Sequence, residues 1–140
     1  MDFRVSFDCS AVSWETVSST LKRVGMAYHK PDVHRRAFEN SHTAVFVYDG
    51  DRLVGFGRAI SDDAYQAAVY DMAVAPEYQR QGIGTTIMEH ILTRVRHCNV
   101  ILYAGVGKEP FYEKMGLRRM KTGMALFKNA DEMHKKGFTY

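Results

Sequence analysis

The chain reads as an α/β (α+β) fold with a mixed, mostly antiparallel central sheet of six or seven strands. Three observations predict it. Thr43-Ala44-Val45-Phe46-Val47-Tyr48 and Leu53-Val54-Gly55-Phe56-Gly57-Arg58-Ala59-Ile60 flank Asp49-Gly50-Asp51, a hairpin signal that makes the two strands antiparallel. Ala67-Ala68-Val69-Tyr70-Asp71-Met72-Ala73-Val74 is apolar on both faces, the mark of a central strand. A helix from about Gly82 and a strand over residues 99–103 follow it, and that order predicts a right-handed parallel crossover.

The remaining elements follow from local signals. Phe3-Arg4-Val5-Ser6-Phe7 alternates as a strand does. Val17, Leu21 and Val24 recur at helical spacing, with Ser13 as N-cap and Gly25 as the stop. Pro31 opens a second short helix that runs through Phe38. Ser61-Asp62-Asp63 breaks the second hairpin strand. The helix after Gly82 places Ile83, Ile87, Ile91 and Val95 on one face. Gly105-Val106-Gly107 is a link, residues 109–115 form a short helix stopped by Gly116, and residues 120–127 supply one or two last strands. The polar tail from Asn129 to Tyr140 either docks on the body, docks on a partner subunit, or is disordered.

Bulk properties narrow the function classes. The 140 residues are read as a single domain, residues 1–140, with an ordinary apolar fraction of 46%. The net charge of +3 comes from dispersed Lys and Arg, which does not mark a nucleic-acid binder. Cys9 and Cys98 form neither a disulfide framework nor a metal set, and His29, His34, His42, His90, His97 and His134 lack close ligand spacing, so no metal is expected. Met1-Asp2-Phe3-Arg4 is unlike a signal peptide, and no apolar run reaches the roughly 18 residues of a membrane span. The expectation is a soluble cytoplasmic protein without membrane contact.

Chemistry concentrates where the central strand ends. Val74-Ala75-Pro76-Glu77-Tyr78-Gln79-Arg80-Gln81-Gly82-Ile83-Gly84-Thr85 leads from that strand into a helix. Helix N-termini carry unpaired N–H groups and the positive end of the dipole, and glycine lets that backbone approach a ligand closely. The result is a cradle suited to a pyrophosphate. A dinucleotide fingerprint lacks its third glycine, since Gly82-Ile83-Gly84 is followed by Thr85-Thr86-Ile87. A P-loop fails as well: Glu109 follows Gly107-Lys108, and Leu102 stands where the first glycine belongs.

Val74-x-Pro76-x-Tyr78-Gln79-x-x-Gly82-x-Gly84 resembles the coenzyme A signature of the GNAT N-acetyltransferase superfamily. Phe111-Tyr112-Glu113-Lys114-Met115-Gly116-Leu117 resembles that superfamily's aromatic-Tyr-Glu-Lys-x-Gly-Phe segment, with Leu117 in place of Phe. The order of elements and the spacing of the two motifs, one strand apart, match as well. Gly105 and Gly107 lie where many relatives carry an Asn. The stretch from Gly57 to Asp62, with Tyr70 and Asp71, is similar to a small-amine branch that includes arylalkylamine acetyltransferases.

The resemblance implies a sheet with helices on both faces, acetyl-CoA as co-substrate and direct acetyl transfer to an amine, with a small molecule favoured over a protein lysine. Gln79, Arg80, Gln81, Gly82, Ile83, Gly84 and Thr85 would hold the pyrophosphate, Arg80 adding charge. Met72, Ala73 and Val74 would pair by their backbone with the pantetheine arm and polarise the thioester carbonyl. Tyr112 occupies the position of the general acid for the leaving thiolate. Asp71 is either the base or amine ligand, or a buried structural carboxylate bonded to backbone. By alternation it shares a face with Val69 and Ala73, and a bulge, known in the family, would re-aim it. Asp62 and Asp63 are either ligands for a cationic substrate or a solvated turn, while Met26, Tyr28 and Phe38 line the acceptor pocket or belong to the core. His90 and His97 are read as surface or helix-end residues. A homodimer is common among similar proteins, with the tail to Tyr140 as a candidate contact. A protein lysine or N-terminal acetyltransferase is the runner-up within the class, and a non-catalytic acyl-CoA-binding regulatory module is the alternative of a different class.

Overall fold

A computed structural model describes residues 2–140. In chain order the elements are β1 (Arg4–Ser6), α1 (Trp14–Arg23), α2 (Pro31–Glu39), β2 (Thr43–Asp49), β3 (Arg52–Ser61), β4 (Gln66–Val74), a 3-10 turn (Pro76–Tyr78), α3 (Ile83–Arg94), β5 (Asn99–Ile101), α4 (Glu109–Glu113) and α5 (Ala130–Lys135). The chain divides into two compact units, the first running through Leu102 and the second spanning Tyr103–Tyr140. None of the helices is long and apolar enough to cross a membrane, among the described residues.

The sheet lies in the first unit with strand order β1-β2-β3-β4-β5. The first three pairings are antiparallel and β4–β5 is parallel. Parallel neighbours need a crossover, and α3 supplies it. Among the described residues five strands form, rather than six or seven. Residues 120–127 take no strand conformation, and Met124 and Leu126 are 98% and 92% exposed. Alternation alone does not make a strand, because its N–H and C=O groups also need a hydrogen-bonded neighbour.

Both faces of the sheet are covered, for reasons visible in β3. Phe56 points into a cluster with Val17 and Leu21 of α1, Phe38 of α2 and Phe46 of β2. Edge and tilted ring contacts knit this side together: Trp14 to Phe38 at 5.5 Å, Phe38 to Phe46 at 5.6 Å and Phe38 to Phe56 at 5.9 Å. Gly55 and Gly57 alternate with Phe56 and so face the other way, toward Ile83, Ile87 and Ile91 of α3. A methyl group on Gly55 would lie 2.9 Å from Ile83 Cγ2. The missing side chains let α3 sit close to the strand.

The expected caps hold α1. Ser13 Oγ accepts from the Thr16 N–H at 3.3 Å. Gly25 takes φ +78, and the Met26 N–H returns to the Leu21 carbonyl at 2.9 Å. In the second unit the tail does not stay irregular. It forms α5, the Phe138 N–H donates to the Met133 carbonyl, and Tyr103 meets Phe127 at 5.4 Å and Phe138 at 5.9 Å.

Gly57 tests the packing. A methyl group there would meet Met72 Sδ at 2.7 Å and Ile87 Cγ2 at 3.0 Å. Overpacking of this kind costs about 1–3 kcal/mol. Gly57→Ala is expected to lower the unfolding free energy by that amount, seen as a lower urea midpoint at unchanged slope. An unchanged midpoint would show that α3 shifts freely.

Candidate active site

β4 pairs with β5 only at its start: Gln66 opposite Asn99, Ala67 opposite Val100 and Ala68 opposite Ile101. It then continues to Val74 along β3 with no β5 partner. Along that stretch Phe56 faces Ala73 and Arg58 faces Tyr70, so Asp71 and Met72 together oppose the single Gly57. This is a β-bulge. Asp71 sits in it at φ +57, a left-handed conformation that costs a non-glycine residue about 1–3 kcal/mol.

The bulge corrects the alternation read from the sequence. Tyr70 and Asp71 both lie on the α2 side, as does Ala73, while Met72 turns to Gly57 on the α3 side. Asp71 therefore shares a face with Ala73 but not with Val69, which belongs by alternation to the α3 side. Nor is its carboxylate tied to backbone: Arg58 Nε donates to Asp71 Oδ2 at 2.6 Å, in a pair 15% and 22% exposed.

Arg58 is held from several sides. Its guanidinium lies 5.7 Å from the centre of the Phe38 ring and 5.3 Å from that of Tyr70. Its Nη1 reaches Ser41 Oγ at 3.4 Å, and that hydroxyl donates to the Ala37 carbonyl at the end of α2. His34 is buried nearby, and burial holds its pKa below the ordinary value. The His29 N–H donates to its Nε2 at 2.8 Å, which places the ring proton on Nδ1. Sequence reasoning singled out neither Arg58 nor His34 nor Ser41 for a role. One signal was available, a lone Arg and a lone Asp inside adjacent apolar strands.

Past Val74 the chain is pinned before it reaches the helix. The Ala75 N–H donates to the Val54 carbonyl at 2.8 Å, and Tyr78 Oη donates to Asp49 Oδ2 at 2.6 Å. Glu77 in the 3-10 turn is gripped by Arg23 of α1 and Arg52 of β3. The hydrogen bond from Arg23, its own backbone N–H and the charge of both arginines bring its pKa down to about 2. The Gln79 side-chain amide donates to the Val74 carbonyl at 3.0 Å. Arg80 then takes φ +65 and Gly82 φ +83, and α3 starts with no side chain capping it. Gln79, Arg80, Gln81, Gly82 and Thr85 are exposed, Gly84 is half-buried, and only Ile83 is sunk into the core. Residues 72–74 thus end β4, and residues 79–85 lead from the 3-10 turn into a helix N-terminus that no side chain caps, an arrangement suited to a pyrophosphate-bearing ligand.

The remaining candidates belong to other segments of the chain. Tyr112 lies in the second unit, in α4, with its ring edge-on to Phe111 at 5.0 Å. Burial pushes its phenol above the ordinary value, so it keeps its proton at neutral pH. Asp62 Oδ1 accepts from the N–H groups of Ala64, Tyr65 and Gln66. Asp63 Oδ1 meets His42 Nε2 at 3.0 Å and His97 Nε2 at 2.9 Å. Asp62 thus bonds its own turn, while Asp63 ties that turn to the distant segments that carry His42 and His97. Phe38 is core, Met26 packs against that core, and Tyr28 is exposed under the Lys22 ammonium.

A family model described as an acetyltransferase (GNAT) domain matches residues 12–129. The chain belongs to the GNAT acetyltransferase family, which uses acetyl-CoA as co-substrate. It is 27% identical over 119 residues to an uncharacterized N-acetyltransferase, ycf52, of Porphyra purpurea, covering 83% of this chain and 64% of that relative. It is 28% identical over 142 residues to serotonin N-acetyltransferase 2, chloroplastic, of Oryza sativa subsp. japonica, covering 94% of this chain and 70% of that relative. Among solved structures, a probable acetyltransferase from meticillin-resistant Staphylococcus aureus superposes with a TM-score of 0.81 at 28% identity, over 90% of this chain and 99% of the other.

Glu77 predicts a pH signature. A carboxyl lowered from the ordinary 4.5 to about 2 on folding stabilises the fold above 4.5, and that contribution is lost as pH falls toward 2. Glu77→Gln is therefore expected to show a shallower fall of Tm than the parent between those two values. Parallel curves would mean that the Arg23–Glu77–Arg52 grip contributes nothing.

Proposed function

We propose that this chain is an N-acetyltransferase that moves an acetyl group from acetyl-CoA directly to a primary amine of a small molecule. The observation that carries the reading is the continuity of two binding elements. The edge of β4 that β5 leaves unpaired runs into an exposed, left-handed turn at the uncapped N-terminus of α3. Residues 79–85 are assigned the pyrophosphate, through backbone N–H groups and the Arg80 charge. The backbone of Met72, Ala73 and Val74 is assigned the pantetheine arm, as an added strand would pair, together with the thioester oxygen. The rice relative, named for serotonin, supports a small amine as acceptor.

The reaction needs two proton movements. The amine nitrogen attacks the thioester carbonyl, the C–S bond breaks, and the departing sulfur takes a proton. Tyr112 is assigned as its donor, on its place in the Phe111-Tyr112-Glu113-Lys114-Met115-Gly116 motif and on its protonated state. Asp71 is assigned to the acceptor, to hold the ammonium or accept its proton.

Two measurements test this. Acetyl-CoA at about 100 times its Kd is expected to stabilise the fold by roughly 2.7 kcal/mol in thermal unfolding, with ATP and NAD inert. Tyr112→Phe is expected to lower amine-dependent thiol release by about 10²–10⁴-fold while acetyl-CoA still stabilises the variant. Stabilisation without amine-dependent thiol release in the parent would make the chain a binding module. Full turnover in the variant would remove Tyr112 from the acid role.

A further inference from the structure

The bulge in β4 decides which backbone groups of that strand face the unpaired edge. In an antiparallel pair, successive residues point their N–H and C=O groups to opposite sides. The Ala75 N–H bonds to Val54 of β3. Ala73 therefore also faces β3, whereas Met72 and Val74 face the free edge. The Gln79 side chain confirms the phase, because it reaches the Val74 carbonyl from outside the ladder. Tyr70 pairs with Arg58 on the far side of the bulge. Without the extra residue, the phase from Tyr70 onward would turn Met72 and Val74 toward β3 and hide their N–H groups.

Glycine adopts the conformation of Asp71, φ +57, at no steric cost, whereas Asp tolerates it at some cost. The side chain must supply something that glycine lacks. It supplies a partner for Arg58. That guanidinium is fixed between the Phe38 and Tyr70 rings and is tied through Ser41 to the end of α2. Arg stays charged under all conditions, so the pair does not come apart by deprotonation on its side. The polar and titratable groups facing the pair are Ser41, Tyr70 and His34, the last buried and neutral, so no second protein cation competes for Asp71.

We infer that Arg58 is a positioning residue: through its pair with Asp71 it holds the β4 bulge that turns the Met72 and Val74 N–H groups toward the thioester. This rests on the acetyl-transfer reading. It assigns the role to a residue that touches neither acetyl-CoA nor the acceptor. Carrying the carboxylate on the bulge itself ties the geometry of the binding strand to α2.

The thioester carbonyl stretch of bound acetyl-CoA, isolated by ¹²C/¹³C difference infrared spectroscopy, reads this geometry directly. In the parent it is expected below its frequency in free acetyl-CoA. In Arg58→Met it is expected to return toward the free value. The kcat of that variant is expected to fall by about 10²-fold, the loss typical of one oxyanion donor, and KM for acetyl-CoA to rise as well, because the same strand edge is assigned the pantetheine arm, while residues 79–85 still hold the pyrophosphate. Two charge-free double variants avoid an orphaned carboxylate. Arg58→Met/Asp71→Gly is expected to keep the shifted stretch, because glycine holds the left-handed bulge unaided. Arg58→Met/Asp71→Ala is expected to lose it. These two decide the matter even if Arg58→Met alone does not fold. A parental shift in all variants, or the same loss in both doubles, overturns the positioning role and leaves the acetyl-transfer reading standing. Failure of the parent to bind acetyl-CoA, or to shift its carbonyl, overturns that reading and the inference together.

Discussion

β4 has to hydrogen-bond to β3 along one edge while leaving the later part of its other edge free. A strand at the middle of a sheet ordinarily has both edges taken, and a strand at the rim ordinarily attracts whatever extended segment lies near. Here β5 pairs over three positions and stops at Ile101. What remains of β4 is a fixed row of donors and acceptors, rigid because β3 holds it from behind. The adjoining turn and the start of α3 inherit their position from that strand.

Three features transmit this placement. The glycines of β3 let α3 approach until Ile83 and Ile87 touch the strand, so the helix N-terminus is anchored by its buried side chains while its exposed backbone is left open. The Arg23–Glu77–Arg52 grip ties the turn to both α1 and β3. These groups are partly exposed, and such pairs contribute little to net stability; their value lies in fixing where the chain goes. The two-on-one bulge then sets the phase of the strand. A slip of one residue would exchange every outward N–H for an inward one.

The charged pair between apolar strands is costly by itself, since burial penalises both ions. It is tolerated because each ion has a partner, and the guanidinium also has two aromatic faces and a hydroxyl. A well-packed apolar pair would serve the core at least as well. The carboxylate member of the charged pair, Asp71, is the left-handed residue of the bulge, so the pair acts on the backbone geometry of β4 as well as on its packing.

Much of this was legible in the sequence. The Asp49-Gly50-Asp51 hairpin, the Ser13 cap, the Gly25 stop and the Ile83–Ile87–Ile91 stripe are local signals, and each element formed within a residue or two of its expected place. The Gly82-x-Gly84 turn announced itself because a chain that enters a helix through a left-handed residue favours glycine there. Residues 120–127 misled, because alternation shows what a strand would bury and not whether a partner edge is within reach. The side to which Asp71 points, and the existence of its bond to Arg58, were decided only by the tertiary structure. Periodicity along one chain carries no record of an extra residue in a ladder. That phase is set across strands, where Gly57 of β3 meets two residues of β4 instead of one.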